Sequence, residues 1–456
     1  MNYIVKCAMI LIMGLSAIIS AQDFDTERIP IGDESRKYDF CSVKLDKILN
    51  TKSNMDISFE EMISELGKYR IVMIGETHTN QLHHDVQFEM IKGLVESGKE
   101  VRLALEMYNS NQNEALAKWS SGETDESTFM EQTDFLVTWS HNYRYYKAIF
   151  DYVREKHIPM YGVNTERKYA SKIGRGGLAS LTPEEKASIP EVDTSNIEHR
   201  FFVKVAMQGM DATMPDQFNT MYQAQSLWDA AMGEGTIKIA KENPDAVVVV
   251  LAGSGHVAYN LGIGRIINDR SDISFTSVIS VDVPDSTEES GMMKIRKDIK
   301  KEMTKVDSMN VMAGDMDKME EKKMEQTSAH SSPHSMMGMD ASPNKIVVRS
   351  LGDFLWGKKE MKQEKYPSFG FSIDEFDEKG FPIKRVLPET IAYENGLKKG
   401  DIILSIDGLT FKNSFELKKY LQFKNWDEEI SFELVRDEEK IDISFIIKPI
   451  ETEEEE

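Results

Sequence analysis

Five short, nearly continuous apolar runs constrain the fold of this chain more than any other feature. They occupy residues 70–76, 101–106, 158–164, 246–253 and 274–283. Stretches with helical periodicity separate most of them. Apolar runs in this arrangement are typical of parallel strands that helices bury on both faces. The sequence therefore predicts an α/β fold with a mostly parallel sheet flanked by helices.

Composition limits the classes of function. The chain has 456 residues, with 55 Lys and Arg against 77 Asp and Glu, for a net charge of −22. A surface of this sign repels phosphate backbones and argues against nucleic-acid binding. The apolar fraction of 40% is enough for a substantial core, and two cysteines do not make a disulfide scaffold.

Changes in composition along the chain predict its division into segments. Lys6, the apolar run after it and a small residue at position 21 predict a signal peptide and export to the periplasm or cell envelope. A stretch rich in Met, Lys, Glu and Ser predicts a flexible linker, whose Met and His side chains could also bind Cu(I). The predicted segments are 1–21 signal peptide, 22–54 approach segment, 55–284 α/β domain, 285–345 linker, 346–450 second domain with a small β-rich fold, and 451–456 acidic tail.

Polar side chains follow three of the predicted strands. Glu76 and His78 come at the end of the first, Glu106 at the end of the second, and His256 just after the fourth. Parallel strands end at one edge of a sheet, where ligands of α/β proteins bind. We therefore expect these four groups to converge within a few ångströms, where they could hold a metal ion or act as acid and base.

The remaining histidines carry weaker signals. His83 and His84 begin the next predicted helix and could add a ligand to this cluster. Three others lack a strand-end position and are interpreted as ordinary residues: His141, His157 and His199.

The strand-end motifs resemble a known family. Taken in order, Gly75-Glu76-Thr77-His78, Leu105-Glu106-Met107 and Gly253-Ser254-Gly255-His256 are similar to the ChaN-like haem-binding family, part of the Tiki and erythromycin-esterase superfamily. The resemblance extends over roughly residues 55–285. It implies a site at these strand ends that serves either haem binding, with tyrosine as an iron ligand, or hydrolysis based on a metal or on Glu and His.

Both functions stay open at the level of sequence. For haem, His78, Tyr222 and His256 are the candidate cofactor ligands, and Arg144 could meet a propionate. For hydrolysis, His78 or His256 would act as the base, with a carboxylate as metal ligand or proton carrier and water as the nucleophile. Glu76, His78, Glu106 and His256 are the candidate catalytic residues and the candidate ligands of a divalent metal ion. The other candidate phenolate ligands are Tyr108, Tyr143, Tyr145 and Tyr146.

A second resemblance covers roughly residues 366–450. Ser368-Phe369-Gly370-Phe371 and the later Gly396-Leu397 and Asp407-Gly408 are similar to a PDZ domain, with Ser368 in place of the first glycine of the carboxylate loop. This implies that Ser368, Phe369, Gly370 and Phe371 bind a peptide C terminus, beside a groove helix at 417–421. The expected partners are thus haem or a small ligand and a protein or peptide C terminus, with homodimerisation left open.

Overall fold

The structure, a computed structural model, describes residues 25–139, 141–285, 342–377 and 379–450. The predicted signal peptide, nearly all of the Met-rich segment and the acidic tail lie outside these residues. Within the described ranges, no helix combines the length and the apolar character needed to cross a membrane.

An eight-stranded sheet organises the larger part of the molecule. The strands of this part are β1 (Phe40–Lys44), β2 (Ile48–Asn50), β3 (Met55–Ile57), β4 (Ile71–Glu76), β5 (Val101–Asn109), β6 (Met160–Asn164), β7 (Val247–Gly253), β8 (Phe275–Val283), β9 (Asn344–Val348) and β10 (Phe354–Lys359). The sheet order is β3-β2-β10-β8-β4-β7-β5-β6. The strands from β10 to β6 run parallel, and β2 and β3 are antiparallel to their neighbours. The predicted α/β fold is confirmed, and β4 to β8 are the five apolar runs.

Burial on both faces explains why these strands are apolar at every position. Every residue of β4 and of β7 is buried. Ile71 and Met73 join the hydrophobic core on one face of the sheet, whereas Val72 and Ile74 join the core on the other. Successive side chains of a strand point to opposite faces, so two helical layers require an unbroken apolar run.

The helices of this part cover both faces of the sheet. They are α1 (Phe59–Leu66), α2 (Gln81–Glu96), α3 (Asn113–Ser120), α4 (Glu126–Gln132), α5 (Phe135–Thr138), α6 (Lys147–Lys156), α7 (Arg167–Gly176), α8 (Pro183–Ala187), α9 (Ile197–Ala206), α10 (Met210–Thr213), α11 (Pro215–Glu242), α12 (Ser254–Val257) and α13 (Ile263–Arg270). The 28-residue α11 begins with a proline, which suits a first helical turn. It packs against β6, α7 and α13, and it carries buried polar residues toward the edge where the strands end.

The division of the chain differs from the one predicted from composition. β10 lies inside the large sheet, between β2 and β8, and β9 pairs with β1. Residues 344–359 therefore belong to the α/β domain and not to the second domain, and the predicted approach segment supplies β1 and β2. The sequence did not reveal this because β10 is one short apolar run, separated by a long polar segment from the strand it joins.

The second domain is a small antiparallel sheet with two helices. Its elements are β11 (Phe371–Ile373), β12 (Phe381–Val386), α14 (Ile391–Glu394), β13 (Ile402–Ile406), α15 (Ser414–Gln422), β14 (Glu429–Arg436) and β15 (Glu439–Ile446). The strands lie in chain order, so β11 is an edge strand. A separate core that includes Phe381, Leu417 and Phe432 holds this domain together.

Candidate functional site

Three strand ends place the predicted polar groups at one edge of the large sheet. Glu76 is the last residue of β4, and Glu106 lies in the final part of β5. β7 ends at Gly253, and the short helix α12 after it carries His256. Because β4, β5 and β7 are parallel neighbours, their carboxyl ends meet at the same edge.

Glu76 and His78 form the first carboxylate–imidazole pair. His78 Nδ1 lies 2.6 Å from Glu76 Oε1, and His84 Nε2 lies 3.8 Å from the other carboxylate oxygen. Burial alone would raise the pKa of Glu76, but the two histidines outweigh it and lower that pKa. Burial also opposes charge on His78, yet the Glu76 carboxylate raises the pKa of His78 to about 9. His78 is therefore cationic at neutral pH.

Glu106 and His256 form the second pair, and Asp229 extends it. His256 Nε2 lies 3.3 Å from Glu106 Oε1, and His256 Nδ1 lies 2.7 Å from Asp229 Oδ1. The backbone N–H of Gly253 donates to Glu106 Oε2 over 2.6 Å. Burial opposes charge on all three groups. The two carboxylates nevertheless raise the pKa of His256 to about 10, and His256 lowers the pKa of Glu106 and of Asp229 to about 2.

The two pairs meet over Gly253. A Cβ atom at this position would lie 2.8 Å from His78 Cε1 and 3.7 Å from Glu106 Oε2. A side chain at Gly253 would thus push His78 away from Glu106, whose charge helps to raise the pKa of His78. The close approach of the two pairs creates one continuous cluster of three carboxylates and two imidazolium groups.

Sequence reasoning missed Asp229 and also His199, which extends the cluster into the core. His199 Nε2 lies 3.2 Å from Asp229 Oδ2, and His199 Nδ1 lies 3.3 Å from the hydroxyl of Tyr222. Asp229 and His199 are fully buried. A signal was present: Asp229 follows Tyr222 by seven residues, two helical turns, on the apolar face of a long helix.

Aromatic rings surround the partly exposed side chain of His78, in a region that we call the mouth of the strand-end cleft. The ring centroid of His78 lies 4.9 Å from that of Trp139 and 4.5 Å from that of His141. Burial and the neighbouring His78 lower the pKa of His141 to about 4, so this imidazole is neutral at physiological pH. His141 was interpreted as an ordinary residue because nothing in the sequence links the loop after α5 to the strand ends.

The polar atoms of several other predicted ligands already contact other residues of the protein. Tyr222 is fully buried, and its hydroxyl donates to the carbonyl oxygen of Asn196 over 3.2 Å. Both ring nitrogens of His256 face carboxylates. Arg144, predicted to meet a propionate, instead donates to Asn425 in the second domain. The remaining tyrosines are buried side chains of the aromatic core: Tyr108, Tyr143, Tyr145 and Tyr146.

The predicted metal ligands do not form a ready coordination sphere. Within the part of the chain that the structure describes, no three His, Cys, Asp or Glu side chains are grouped so that they could hold a metal ion. Glu76, His78, Glu106 and His256 are instead arranged as two carboxylate–imidazole pairs.

The cluster should make stability depend on pH. The pKa values of His78 and His256 lie above the ~6.5 of an unfolded chain, so their stabilising contribution is complete below about pH 6.5 and is lost as pH rises through about 9 and about 10. Urea unfolding should therefore give a lower free energy at about pH 10 than at about pH 6. The decrease should be smaller in His256→Gln, and an equal decrease in both proteins would contradict this assignment.

In the second domain, the predicted carboxylate loop leads into the edge strand β11. Gly370 has φ +75°, and a Cβ atom there would lie 2.3 Å from Thr390 Cβ, so only glycine fits. Ser414 Oγ, at the start of α15, donates to Glu375 just beyond β11 over 2.8 Å. The other end of α15 therefore lies toward Ser368 and Phe369.

Comparisons with known proteins agree with this architecture. Residues 62–267 match the family model described as haem-binding uptake, Tiki superfamily, ChaN, and residues 361–447 match the PDZ domain model. A search of curated proteins found no match.

Three of the solved structures that match parts of this chain are of different kinds. ChaN of Campylobacter jejuni with cofacially bound haem is 21% identical, over 52% of this chain and 90% of that one, with a TM-score of 0.43. An erythromycin esterase mutant in its open conformation is 13% identical, over 54% and 78%, with a TM-score of 0.33. A serine endoprotease from Yersinia pestis is 21% identical, over 19% and 30%, with a TM-score of 0.17.

Both resemblances found in the sequence are thus confirmed by the family models. The chain joins a domain that matches the ChaN-like haem-binding family of the Tiki superfamily to a C-terminal PDZ domain.

Proposed function

We propose that the protein is an exported haem-binding protein that takes haem at the mouth of the strand-end cleft, with His141 as the iron ligand. The observation that carries this proposal is the neutral imidazole of His141 beside the cationic His78. His141 lies within a domain that matches a haem-binding family. Among the described contacts, no hydrogen bond occupies a ring nitrogen of His141.

The residues at the mouth fit the chemistry of haem. A haem site needs an axial ligand with a free lone pair, a flat apolar surface and cations for the propionates. His141 provides the first, the indole of Trp139 the second, and His78 the third. Trp139 is itself held by a hydrogen bond from its Nε1 to the hydroxyl of Tyr146 over 3.0 Å. When bound, haem would supply redox-active iron, and these residues would hold and orient it.

The buried groups have a supporting role in this proposal. Glu76 fixes the ring and the charge of His78. The second group of charged residues, Glu106, His256 and Asp229, is buried next to His78. The PDZ domain would dock the protein to a partner through that partner's C terminus.

Haem titration of the purified protein tests this proposal. The wild-type protein should develop a Soret band, and His141→Ala should weaken haem binding by ~10-fold or more, the scale on which groups around a metal act. His157→Asn is the matched control, because His157 is exposed, donates to the carbonyl of Ser120, and has no described contact with His78, Trp139 or His141. An unchanged affinity and an unchanged Soret band in His141→Ala would refute the ligand assignment.

Hydrolysis remains the second candidate because of the Asp229–His256–Glu106 relay. With the pKa of His78 at about 9 and that of His256 at about 10, both imidazoles are protonated at neutral pH and would act as acids, not as the bases predicted from sequence. Glu76 Oε2 is buried and accepts no hydrogen bond within the described residues, so it could take the proton of a water molecule. Ester hydrolysis without a Soret band, abolished in Glu76→Gln, would favour this candidate.

A further inference from the structure

The loop of residues 141–146, which we call the bridging segment, is contacted by both domains. On one side, His141 lies against His78 at the mouth of the cleft. On the other side, the next three residues bond to the PDZ domain. One stretch of backbone therefore carries a cleft residue and an interdomain contact directly beside each other.

Gln422, the last residue of α15, makes two of these contacts. Asn142 Nδ2 donates to the backbone carbonyl of Gln422 over 2.9 Å. The backbone N–H of Tyr143 donates to the side-chain Oε1 of Gln422 over 2.8 Å. The N–H of Tyr143 therefore depends on a side chain of the other domain for its partner.

Arg144 makes further contacts with the PDZ domain. Its Nη1 donates to Asn425 Oδ1 over 2.7 Å, and its Nη2 donates to the carbonyl of Lys424 over 2.5 Å. The guanidinium also stacks over the ring of Tyr366, 3.9 Å from the centroid. The ring of Tyr145 lies 4.9 Å from that of Tyr366. The contacts of the bridging segment are thus polar and aromatic. They belong to a wider interface, in which the hydroxyl of Tyr366 also donates to Gln81 and Phe415 packs against the core of the α/β domain.

These contacts gather at one end of the peptide groove. Tyr366 precedes the carboxylate loop at Ser368 by two residues. α15, which lines the groove, is anchored at its first residue to Glu375, so that Gln422 lies at the opposite end. The end that would bind a peptide carboxylate is therefore the end that holds the bridging segment.

From this arrangement we infer that the PDZ groove is an effector site for the cleft, and that its effector is a peptide with a free C-terminal carboxylate and an apolar last residue. Binding of the peptide between β11 and α15 acts on the contacts of Gln422 and Tyr366, and through residues 141–146 on His141. The inference rests on the proposed haem binding and adds its regulation. Coupling between two sites is reciprocal, so haem must change peptide affinity by the same factor.

The test uses the full-length protein and a mixture of fluorescein-labelled heptapeptides that end in a free valine carboxylate. The same peptides with a C-terminal amide are the matched control. Saturation with the free-acid peptides should change haem affinity by ~5-fold or more, the lower range of allosteric coupling, whereas the amides should leave it unchanged. Unchanged haem affinity with the groove occupied, or no binding of the peptides, would overturn the inference.

A variant separates coupling from simple binding. Gln422→Ala removes the partner of the Tyr143 N–H and should bring the coupling factor close to one. Tyr393→Ala, which changes an exposed side chain elsewhere on the PDZ domain, should retain the full factor. Full coupling in Gln422→Ala would show that this contact does not transmit it and would overturn the route proposed here.

A second measurement keeps this inference distinct from haem binding itself. Hydrogen exchange of residues 141–146 can be followed with and without the free-acid peptides, in the absence of haem. A change in exchange at these residues supports the coupling even if the protein binds no haem. Exchange that is the same with and without peptide overturns it, whatever the haem titration shows.

Discussion

Cutting the chain within residues 286–341 is expected to leave the two fragments bound to each other under native conditions. The C-terminal fragment retains β10, which pairs with both β8 and β2 in the middle of the large sheet. Phe354 and Leu355 of this strand are buried. Withdrawal of β10 would expose both side chains, at about 1.5–3 kcal/mol each, and would also break two ladders of backbone hydrogen bonds.

A buried ion pair adds to this attachment. Arg36 Nη2 lies 3.1 Å from Asp353 Oδ1, and both side chains are buried. The second oxygen of Asp353 accepts from the backbone N–H of Ser277 and from the hydroxyl of Thr276. Separation of the fragments would take Asp353 away from the buried Arg36 and leave Arg36 only the more exposed Asp33, and the loss of a buried partner is costly.

The measurement needs a recognition site for a specific protease, inserted after Glu320. After complete cleavage, size-exclusion chromatography should give one peak that contains both fragments. With the site placed after Lys362, beyond β10, the PDZ domain should instead be released on dilution. Its fragment then holds no strand of the large sheet, and only surface contacts such as those of Arg144 and Tyr366 remain. Separate elution of the fragments after the first cut would contradict the placement of β10.

Asp229→Ala should lower the free energy of unfolding by ~3–5 kcal/mol, the typical effect of breaking a buried charge pair. The substitution leaves the imidazolium of His256 with a single carboxylate and removes the carboxylate partner of His199. The pKa of His256 should fall for the same reason, because Asp229 is one of the two groups that raise it.

Urea unfolding measures the first effect, and NMR titration of the His256 ring measures the second. Asp151→Ala is a suitable control, since Asp151 is about half exposed in its pair with Lys147 and the change should cost less than ~1 kcal/mol. Similar losses in the two variants would mean that Asp229 does not support the cluster.

The fold and half of the site could be predicted because their signals are local. An apolar run such as Val247–Gly253 reveals a buried strand without any knowledge of its neighbours. Parallel strands end at one edge, so Glu76, Glu106 and His256 could be placed together from their positions alone. The pairing itself, with His78 against Glu76, required the structure.

The rest depends on contacts between residues that are distant in the chain. β10 is recognisable only by the strands it joins, and composition assigned it to the wrong domain. Asp229 approaches His256 from a helix whose apolar pattern explains its burial but not its partner. Arg144 looked available for a ligand, yet it contacts Lys424 and Asn425, some 280 positions away in the chain.

The place of β10 in the sheet also sets an order of events during synthesis. β8 ends at Val283, and β10 begins at Phe354, so the ribosome must add the residues between them before the sheet can close. At ~5–20 residues per second, this takes roughly 4 to 14 s. During that time β8 has an unpaired edge, and β2 has no place to join. Unpaired strand edges invite association with other chains, so the nascent protein passes through a period in which a chaperone could protect it.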